Sequence, residues 1–472
     1  MDEINEYILN PKITNDDKIN RLKSGRDRDF ADLKTLKEQW GVDTHKVFDN
    51  SVLPKKKIIN EDQTQYLKDV NRIPVPFQKI IVNKAVAFAF NNPVTYNYDY
   101  EDNPVKKLFG EAFTKVDKKL KLKSHNRRIY RELLRATEVA ECWFCESKPE
   151  YKNLYGLENV NLKMRTIMFS PFKGDTLYPY FKDGDLVAFS REFTRKNDEG
   201  LTEKVFEVYT DKLCGVFVSK EGGQGYDFTY TKHTLGKIPV VYGALDEPEA
   251  DWEKVQHNIE RLEFLLSKFA EINDYHAAPK LVAKGRVIGF ADKGESGAIL
   301  EIENEGDLKY LDWNNATDSV KLEIETCFKV IFTMTQTADI SFESVKGIGA
   351  ISGTSLKMLL SDAHLKVGDY KEIMDDFLQR RVNIISKFLL TALNNPKELV
   401  DMDIEPEINP YSITDETTLI SDLYKATGQQ GFMSIKTAAK VAGYIEDADS
   451  EVEQIMKEER ARNTQNSTEM TL

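Results

Sequence analysis

Two stretches of the sequence carry residue types at a spacing that could support chemistry. In the first, Cys142 and Cys145 have the CxxC spacing of a redox pair or of half a zinc site. A redox pair is expected at a helix start after a strand, where the helix dipole lowers the thiol pKa, but this pair follows a predicted helix and enters a strand-rich region. A zinc site needs two more ligands, and Cys214 and Cys327 are isolated. We predict buried structural cysteines and no metal site.

The second stretch is a glycine-rich segment, GIGAISGTS at residues 347–355. A phosphate-binding P-loop requires a lysine after its last glycine and a strand before the loop. Here the lysine is absent and the preceding segment is predicted to be helical. The six histidines are scattered, with no HExxH pattern, and no GxSxG elbow occurs. The sequence therefore predicts a hinge loop that leads into a helix, in a protein that is not an enzyme and has no cofactor.

Composition sets wider bounds on the class of protein. The 472 residues are 41% hydrophobic and 30% charged, which is enough material for two to four domains. A net charge of −13 argues against a protein that coats nucleic acid with basic side chains. The N-terminus is acidic and resembles no signal peptide. No apolar run approaches the roughly 20 residues of a membrane span, so we expect a cytosol-like environment.

The elements that position these stretches can be predicted from periodicity. The N-terminal half is predicted to hold helical stretches around Asp16–Trp40, an apolar helix over Phe77–Phe90 and a basic helix over Lys115–Val139. Pro74 and Pro76 keep the entry to the apolar helix extended, and Asn91, Asn92 and Pro93 end it. Alternating apolar and polar residues from Ala140 to Val241 then predict an antiparallel β region.

The C-terminal half is predicted to be mainly helical. Apolar residues at spacings of three and four predict helices over 255–272 and 320–334, with a strand-like segment between them. The longest helix is expected over Thr354–Leu393, about 60 Å at 1.5 Å per residue, with a bend at Gly368. Short helices are predicted over 414–426, 434–443 and 450–462.

Two segments stand out by charge. Residues 115–135 hold nine Lys or Arg and two acids, and residues 301–325 hold eight acids and two lysines. Each pattern is typical of a solvated helix face. The basic segment is also compatible with nucleic-acid binding, and the acidic one with a surface that repels phosphate.

The order of these elements, together with several short stretches, resembles the portal proteins of tailed bacteriophages of the siphophage type. The matching stretches are NRIPV at 71–75 through NPVTY at 92–96, GKIPVV at 236–241, ISGTSL at 351–356, and MSIKT at 433–437 followed by the acidic segment 447–459. Together they cover about residues 70–460. The family resemblance does not account for the first 65 residues or the tail.

The resemblance implies an α+β fold that is mostly helical, with portal-type architecture, assembled as a ring. Its parts would be a wing, a two-helix stem, a small β clip, a long kinked helix and a helical crown. They map to residues 1–250 (wing), 251–275 (first stem helix), 276–315 (clip), 316–340 (second stem helix), 341–353 (tunnel loop), 354–395 (long kinked wing helix), 396–462 (crown) and 463–472 (disordered tail).

The resemblance also implies a function and a set of site residues. About twelve copies would form a ring at one capsid vertex, assembled in the host bacterial cytoplasm, through which double-stranded DNA is packaged and ejected. The partners would be terminase large subunit, head-tail adaptor, and major capsid and scaffolding proteins, with no membrane. The predicted sites are the DNA-facing tunnel loop (Ser341, Phe342, Glu343, Lys346, Gly347, Gly349, Ser352, Gly353), the stem channel lining (Lys321, Glu323, Glu325) and the helix kink at Gly368.

Two other classes of protein remain compatible with the residues alone. A soluble CxxC-dependent oxidoreductase would lose thiol-exchange activity when Cys142 and Cys145 are replaced by Ser. A scaffold protein built on the long helix would show a 3.5-residue heptad with charged flanks. The stripe over residues 356–388 has irregular spacing and a central glycine instead, which favours packing within a subunit.

Overall fold

The structure is a computed structural model of the chain. It describes residues 2–60, 62–98, 103–158, 160–220, 225–276, 281–284, 287–289, 301–302, 307–310, 317–339, 360–399, 402–411, 416–428, 433–442, 451–458 and 460. The chain forms two compact units. One comprises Met1–Asp339 with Asp362–Tyr411, and the other comprises Ile340–Ser361 with Ser412–Leu472.

Three short helices begin the first unit: α1 (Asp2–Leu9), α2 (Asn15–Ser24) and α3 (Leu33–Trp40). The helical region predicted over Asp16–Trp40 is therefore two helices, and α1 was not predicted. The Thr14 hydroxyl accepts a hydrogen bond from the Asp17 backbone N–H and caps α2, as expected for this residue type.

A hairpin of β1 (Lys56–Ile59) and β2 (Gln65–Lys68) leads to helix α4 (Phe77–Phe90) and strand β3 (Thr95–Tyr98). Helix α4 has the bounds that the sequence predicts. Most of its residues are buried, which agrees with its apolar composition on nearly all sides.

The single basic helix predicted over Lys115–Val139 is wrong. Two helices occupy this part of the chain, α5 (Pro104–Leu120) and α6 (Leu122–Ala136). They are separated by Lys121, whose φ of 53° lies in the left-handed region. A non-glycine residue rarely adopts this conformation. The sequence could not signal the break, because neither glycine nor proline stands at this position.

The predicted β region is confirmed and forms two antiparallel sheets. One sheet has the order β11-β4-β5 and the other β10-β9-β8-β7-β6. Their strands are β4 (Glu138–Lys152), β5 (Asn161–Phe169), β6 (Thr176–Lys182), β7 (Asp185–Lys196), β8 (Thr202–Tyr209), β9 (Leu213–Ser219), β10 (Tyr226–Lys232) and β11 (Val240–Ala244).

Side-chain alternation along the five-stranded sheet directs its two faces to different cores. Tyr178 and Ala188 pack in a cluster with residues of α1 and α2. Their neighbours Leu177 and Phe189 pack with the three-stranded sheet, where the Phe189 ring stacks on Phe169 at 6.4 Å between ring centroids. The alternation that predicted the strands therefore also places one face of this sheet against α1 and α2 and the other face against the three-stranded sheet.

Two helices and four short strands follow: α7 (Gln256–His276), β12 (Leu281–Lys284), β13 (Val287–Gly289), β14 (Glu301–Ile302), β15 (Asp307–Tyr310) and α8 (Thr317–Met334). Both predicted helices are confirmed. β12 pairs antiparallel with β15, with Leu281 opposite Tyr310. The four strands lie in the segment that the sequence predicts to be strand-like.

The long helix is α9 (Ser361–Ala392), 32 residues or about 48 Å. It is shorter than the predicted 40 residues, whose start at 354–359 lies outside the described residues. The helix is continuous through Gly368. The strand β16 (Ile404–Glu407) that follows pairs antiparallel with β3, so the end of this unit is joined to its N-terminal part.

In the second unit the structure describes helices α10 (Glu416–Thr427) and α11 (Ile435–Ala442) and a helix over 451–458. These are the three short helices that the sequence predicts. The tail at 463–472, predicted to be disordered, lies outside the described residues. None of the helices in the described part of the chain is long and apolar enough to cross a membrane.

Candidate functional site

The stem prediction concerns α7 and α8, which pack against each other and against α4. Ile259 and Leu262 of α7 and Ile331 of α8 are fully buried. The Phe77 ring at the start of α4 meets Phe328 edge-on, at 5.3 Å between ring centroids. This apolar contact fixes which side of α8 faces the protein and leaves its polar side exposed.

Glu323, predicted to line a channel, is bound by an arginine of the neighbouring helix. The Arg261 guanidinium lies 2.7 Å from the Glu323 carboxylate, donating from both Nε and Nη2 to Oε1. The two side chains are 51% and 42% exposed. The pair therefore joins α7 to α8 at the surface, where such a contact contributes little stability.

The other two predicted lining residues pair with each other. Lys321 Nζ lies 3.8 Å from Glu325 Oε1, one helical turn away, and both side chains are largely exposed. The acidic residues of α8 are thus not a bare row of negative charge. Each predicted lining carboxylate faces a cation, and each of these cations faces a carboxylate.

The tunnel-loop prediction concerns residues 341–353. Its eight singled-out residues all lie outside the described residues: Ser341, Phe342, Glu343, Lys346, Gly347, Gly349, Ser352 and Gly353. The segment just before it is described, and two lysines hold it. Lys366 Nζ donates to the Thr335 carbonyl at 2.8 Å, and Lys84 Nζ donates to the Ala338 carbonyl at 2.9 Å. Desolvation lowers the pKa of Lys84.

Lys366 also anchors the start of α9. Its Nζ lies 2.7 Å from the Asp251 carboxylate, which accepts a further hydrogen bond from the Tyr370 hydroxyl at 3.0 Å. These residues line a cavity of about 560 Å³ between α8, α9 and the segment 245–251. These polar contacts hold the start of α9 against residues 251 and 335.

A buried pair fixes α7 to the N-terminal region. The Glu263 carboxylate lies 2.5 Å from His45 Nδ1 and accepts a hydrogen bond from the Val75 backbone N–H at 2.8 Å. The other ring nitrogen of His45 faces the Gln39 carbonyl at 2.9 Å. Both ring nitrogens of His45 therefore face an oxygen. The extended segment predicted from Pro74 and Pro76 is therefore held against α7.

The strongest buried network was missed by sequence reasoning. Arg381 of α9 binds the Glu141 carboxylate of β4 through two nitrogens, at 2.6 and 2.9 Å, and both side chains are fully buried. Glu141 also accepts hydrogen bonds from Trp143 Nε1 at 2.9 Å and from His125 Nε2 at 2.8 Å, and Arg381 donates to Asn126.

Burial by itself would raise the pKa of the Glu141 carboxyl, but Arg381 and His125 lower that pKa to about 2. A signal for this network was present in the sequence. Arg381 falls in the apolar stripe of the long helix, between Phe377 and Ile384, where a charged residue requires a buried partner.

The CxxC pair has no features of a redox site. Both cysteines lie on strand β4, and Cys142 is buried. Burial raises the pKa of the Cys145 thiol to about 12 and also raises that of Cys142. A reactive thiol needs the opposite shift. In the part of the chain that the structure describes, no cluster of three His, Cys, Asp or Glu is placed to hold a metal ion.

Comparison with known proteins identifies a family whose model matches this chain. A family model described as "Phage portal protein, SPP1 Gp6-like" matches residues 19–465. No curated protein matches the sequence significantly.

Among solved structures, the virion of a native gene transfer agent (GTA) particle is similar at 10% identity and a TM-score of 0.33, over 78% of this chain and 88% of that chain. The neck of the native GTA particle computed with C12 symmetry is similar at 9% identity and a TM-score of 0.39, over 78% and 89%. The neck of the empty GTA particle computed with C6 symmetry is similar at 12% identity and a TM-score of 0.32, over 79% and 90%.

Proposed function

This chain belongs to the SPP1 Gp6-like family of phage portal proteins, and from that premise we propose that it is the subunit of a ring at one capsid vertex. About twelve copies would join through head-to-tail contacts that close on rotation. The ring is the channel through which double-stranded DNA enters during packaging and leaves during ejection. The observation that carries this proposal is the match over residues 19–465, which extends from the predicted wing into the predicted crown.

The pairing of charges on α8 supports a specific role for the stem. A channel wall that passes DNA must not hold phosphate, and an exposed cation would do so. Arg261 and Lys321 each lie against a carboxylate, Glu323 and Glu325 respectively. We therefore propose that these carboxylates act chiefly by occupying Arg261 and Lys321, so that fewer cations of the stem can hold phosphate as the duplex slides past. Lys329 of α8 is exposed and forms no ion pair with a described carboxylate.

The anchors before the predicted tunnel loop support a second role. Lys84 and Lys366 bind carbonyl groups of residues 335–338, so the segment before the loop is held in place. We expect the three glycines in the sequence of the loop to permit a change of conformation there. The loop at 341–353 would form the narrow point that contacts DNA.

The remaining parts would dock other proteins. The clip at 276–315 would bind the terminase large subunit during filling and a head-tail adaptor afterwards, while the wing meets major capsid and scaffolding proteins. ATP hydrolysis would belong to the terminase, because residues 347–355 lack the P-loop lysine. The ring would assemble in the host bacterial cytoplasm and remain in the virion.

The first test is the assembly itself. Twelve copies of a 54.1 kDa chain come to about 650 kDa, which light scattering after size exclusion measures directly, and negative-stain images should show rings with a central hole. Only 54.1 kDa particles at every concentration and buffer would refute the ring.

The second test distinguishes a defect in DNA passage from a defect in ring assembly. Shortening residues 341–353, or replacing Glu323 by Lys, should leave rings intact in negative stain. Each change should lower the amount of nuclease-protected DNA in a packaging reaction with procapsids and terminase. A swap at a partly exposed pair outside the stem, Glu203→Lys opposite Arg195, is the matched control. Normal packaging by both stem and loop variants would refute the proposed lining.

A further inference from the structure

The nine cations of the basic segment at 115–135 fall into two groups in the structure. Three arginines serve the fold. Arg127 donates to the carbonyl groups of Phe90 and Asn91 at the end of α4. Arg131 donates to Asn83, and Arg135 binds Glu132. These three need no external ligand.

The other six cations are exposed and surround the junction of α5 with α6. None of the six forms an ion pair with any carboxylate in the described ranges of the chain. We call this group the basic corner; it consists of Lys115, Lys118, Lys119, Lys121, Lys123 and Arg128.

The basic corner is compact. At 1.5 Å per residue, each of its Cα atoms lies within about 11 Å of Lys121 along the helices. The Debye length is about 8 Å at physiological salt, so each cation acts mainly together with its nearest neighbours, and the six form one continuous basic surface. Several exposed lysines elsewhere are already neutralised in pairs, among them Lys46 with Glu260 and Lys182 with Glu3. The corner stands out further because the whole chain carries −13.

The start of α6 shows that the fold does not require the charge of Lys123, whereas Lys118 and Lys119 lie in the last turn of α5, where the dipole favours cations. The N-terminal end of a helix is the positive end of its dipole and favours acidic residues. Helix α2 follows this rule, with a Thr14 cap and two acids in its first turn. Helix α6 has no side-chain cap and no acid in its first turn, and Lys121 and Lys123 lie there instead. A cation placed against the dipole indicates an anionic ligand rather than a stabilising role.

The chemistry of the corner favours phosphate over a protein surface. The centre of a protein–protein interface is apolar and depleted in lysine. No large hydrophobic side chain is exposed within residues 115–128, and the exposed Leu108 of α5 lies seven residues before Lys115. The exposed side chains of the corner are lysines, one arginine and the neighbouring Ser124. These are side-chain types that contact a nucleic-acid backbone.

We propose that the basic corner binds the phosphate backbone of duplex nucleic acid, without reading its sequence. This surface lies on α5 and α6, not on the stem helices, and the proposal does not depend on ring formation. Five or six phosphate contacts predict that log K falls with log salt at a slope of about −4.5 to −5.4, at −0.9 per contact.

The test is fluorescence anisotropy of a labelled 30-base-pair duplex with the full chain, from 50 to 200 mM NaCl. The triple variant Lys118→Gln, Lys119→Gln, Lys123→Gln should lose at least about tenfold in affinity at 50 mM salt, and its slope should be shallower by about 2.7. The matched control removes three exposed lysines of the five-stranded sheet: Lys196→Gln, Lys204→Gln and Lys232→Gln. The control changes the net charge equally and should bind within about twofold of the wild type.

Two further measurements distinguish lost binding from lost folding and phosphate from other anions. Because Lys123 opposes the helix dipole, Lys123→Gln alone should weaken binding without lowering the Tm, which separates lost binding from lost folding. Polyglutamate of equal charge should compete poorly with the duplex. Equal binding by the triple variant and the control, no binding by the wild type, or equally tight binding of polyglutamate would each overturn the proposal.

Discussion

Replacing Arg381 should destabilise the protein, because it leaves the buried negative charge of Glu141 without a partner. In Arg381→Met the volume is roughly kept, but the fully buried Glu141 carboxylate loses its bidentate partner. Removal of one member of a buried pair typically costs about 3–5 kcal/mol. The direction of the pKa agrees with a cost of this kind: Arg381 and His125 hold the pKa of the Glu141 carboxyl at about 2, although burial alone would raise it.

The same pair predicts a pH dependence with a definite sign. The folded pKa of Glu141 lies below its ordinary value. Its contribution to stability is therefore complete above about pH 4.5 and is lost as the pH falls toward about 2. The difference in stability between the wild type and Arg381→Met should be largest near neutral pH and should shrink progressively below pH 4.5.

Urea unfolding followed by tryptophan fluorescence measures this directly, because Trp143 is buried and donates to Glu141. All variants need the same protein concentration, since assembly adds to apparent stability. Glu141→Gln should be destabilised by a similar amount. The double variant should lose much less than the sum of the two, because no buried charge remains unpaired.

The neighbouring Arg380 supplies the control. It is 40% exposed and pairs with Asp376 one turn away on α9, so Arg380→Met should cost less than about 0.5 kcal/mol. If Arg381→Met were no less stable than Arg380→Met, or if the two single changes at Arg381 and Glu141 were simply additive, the reasoning from an unpaired buried charge would be refuted.

Three other results are expected. Glu323→Gln should change the free energy of unfolding by less than about 1 kcal/mol, because its pair with Arg261 is about half exposed; a larger loss in urea unfolding would show that the pair holds α7 and α8 together. His45→Ala should cost about 1–3 kcal/mol by leaving the buried Glu263 carboxyl without its side-chain partner, and a loss under about 0.5 kcal/mol would show that this contact does not hold α7 to the N-terminal region. In the folded protein, Cys145, with its pKa raised to about 12, should react with a disulfide reagent at pH 8 at under about 1% of the rate of an exposed thiol, and rapid labelling of Cys145 would reopen the redox interpretation.

The sequence determined the elements whose signals are local. Two prolines and the sequence Asn91-Asn92-Pro93 bound α4 correctly, because proline restricts the backbone on either side of a helix. Alternation marked strands such as β7 and β8, since successive side chains in a strand point to opposite faces. The apolar stripe of α7 needed only spacings of three and four. The family resemblance likewise rested on short stretches and their order along the chain.

Tertiary structure decided everything that joins distant residues. The break at Lys121 carries no local signal, because a lysine in the left-handed region is held there by the packing of α5 and α6. Glu323 meets Arg261 across 62 residues, and Arg381 meets Glu141 across 240. Charge counts along the chain could not anticipate these pairs. The sequence gives the number of cations in a segment, but only the fold determines which of them bind a carboxylate or a carbonyl group and which remain exposed to a ligand.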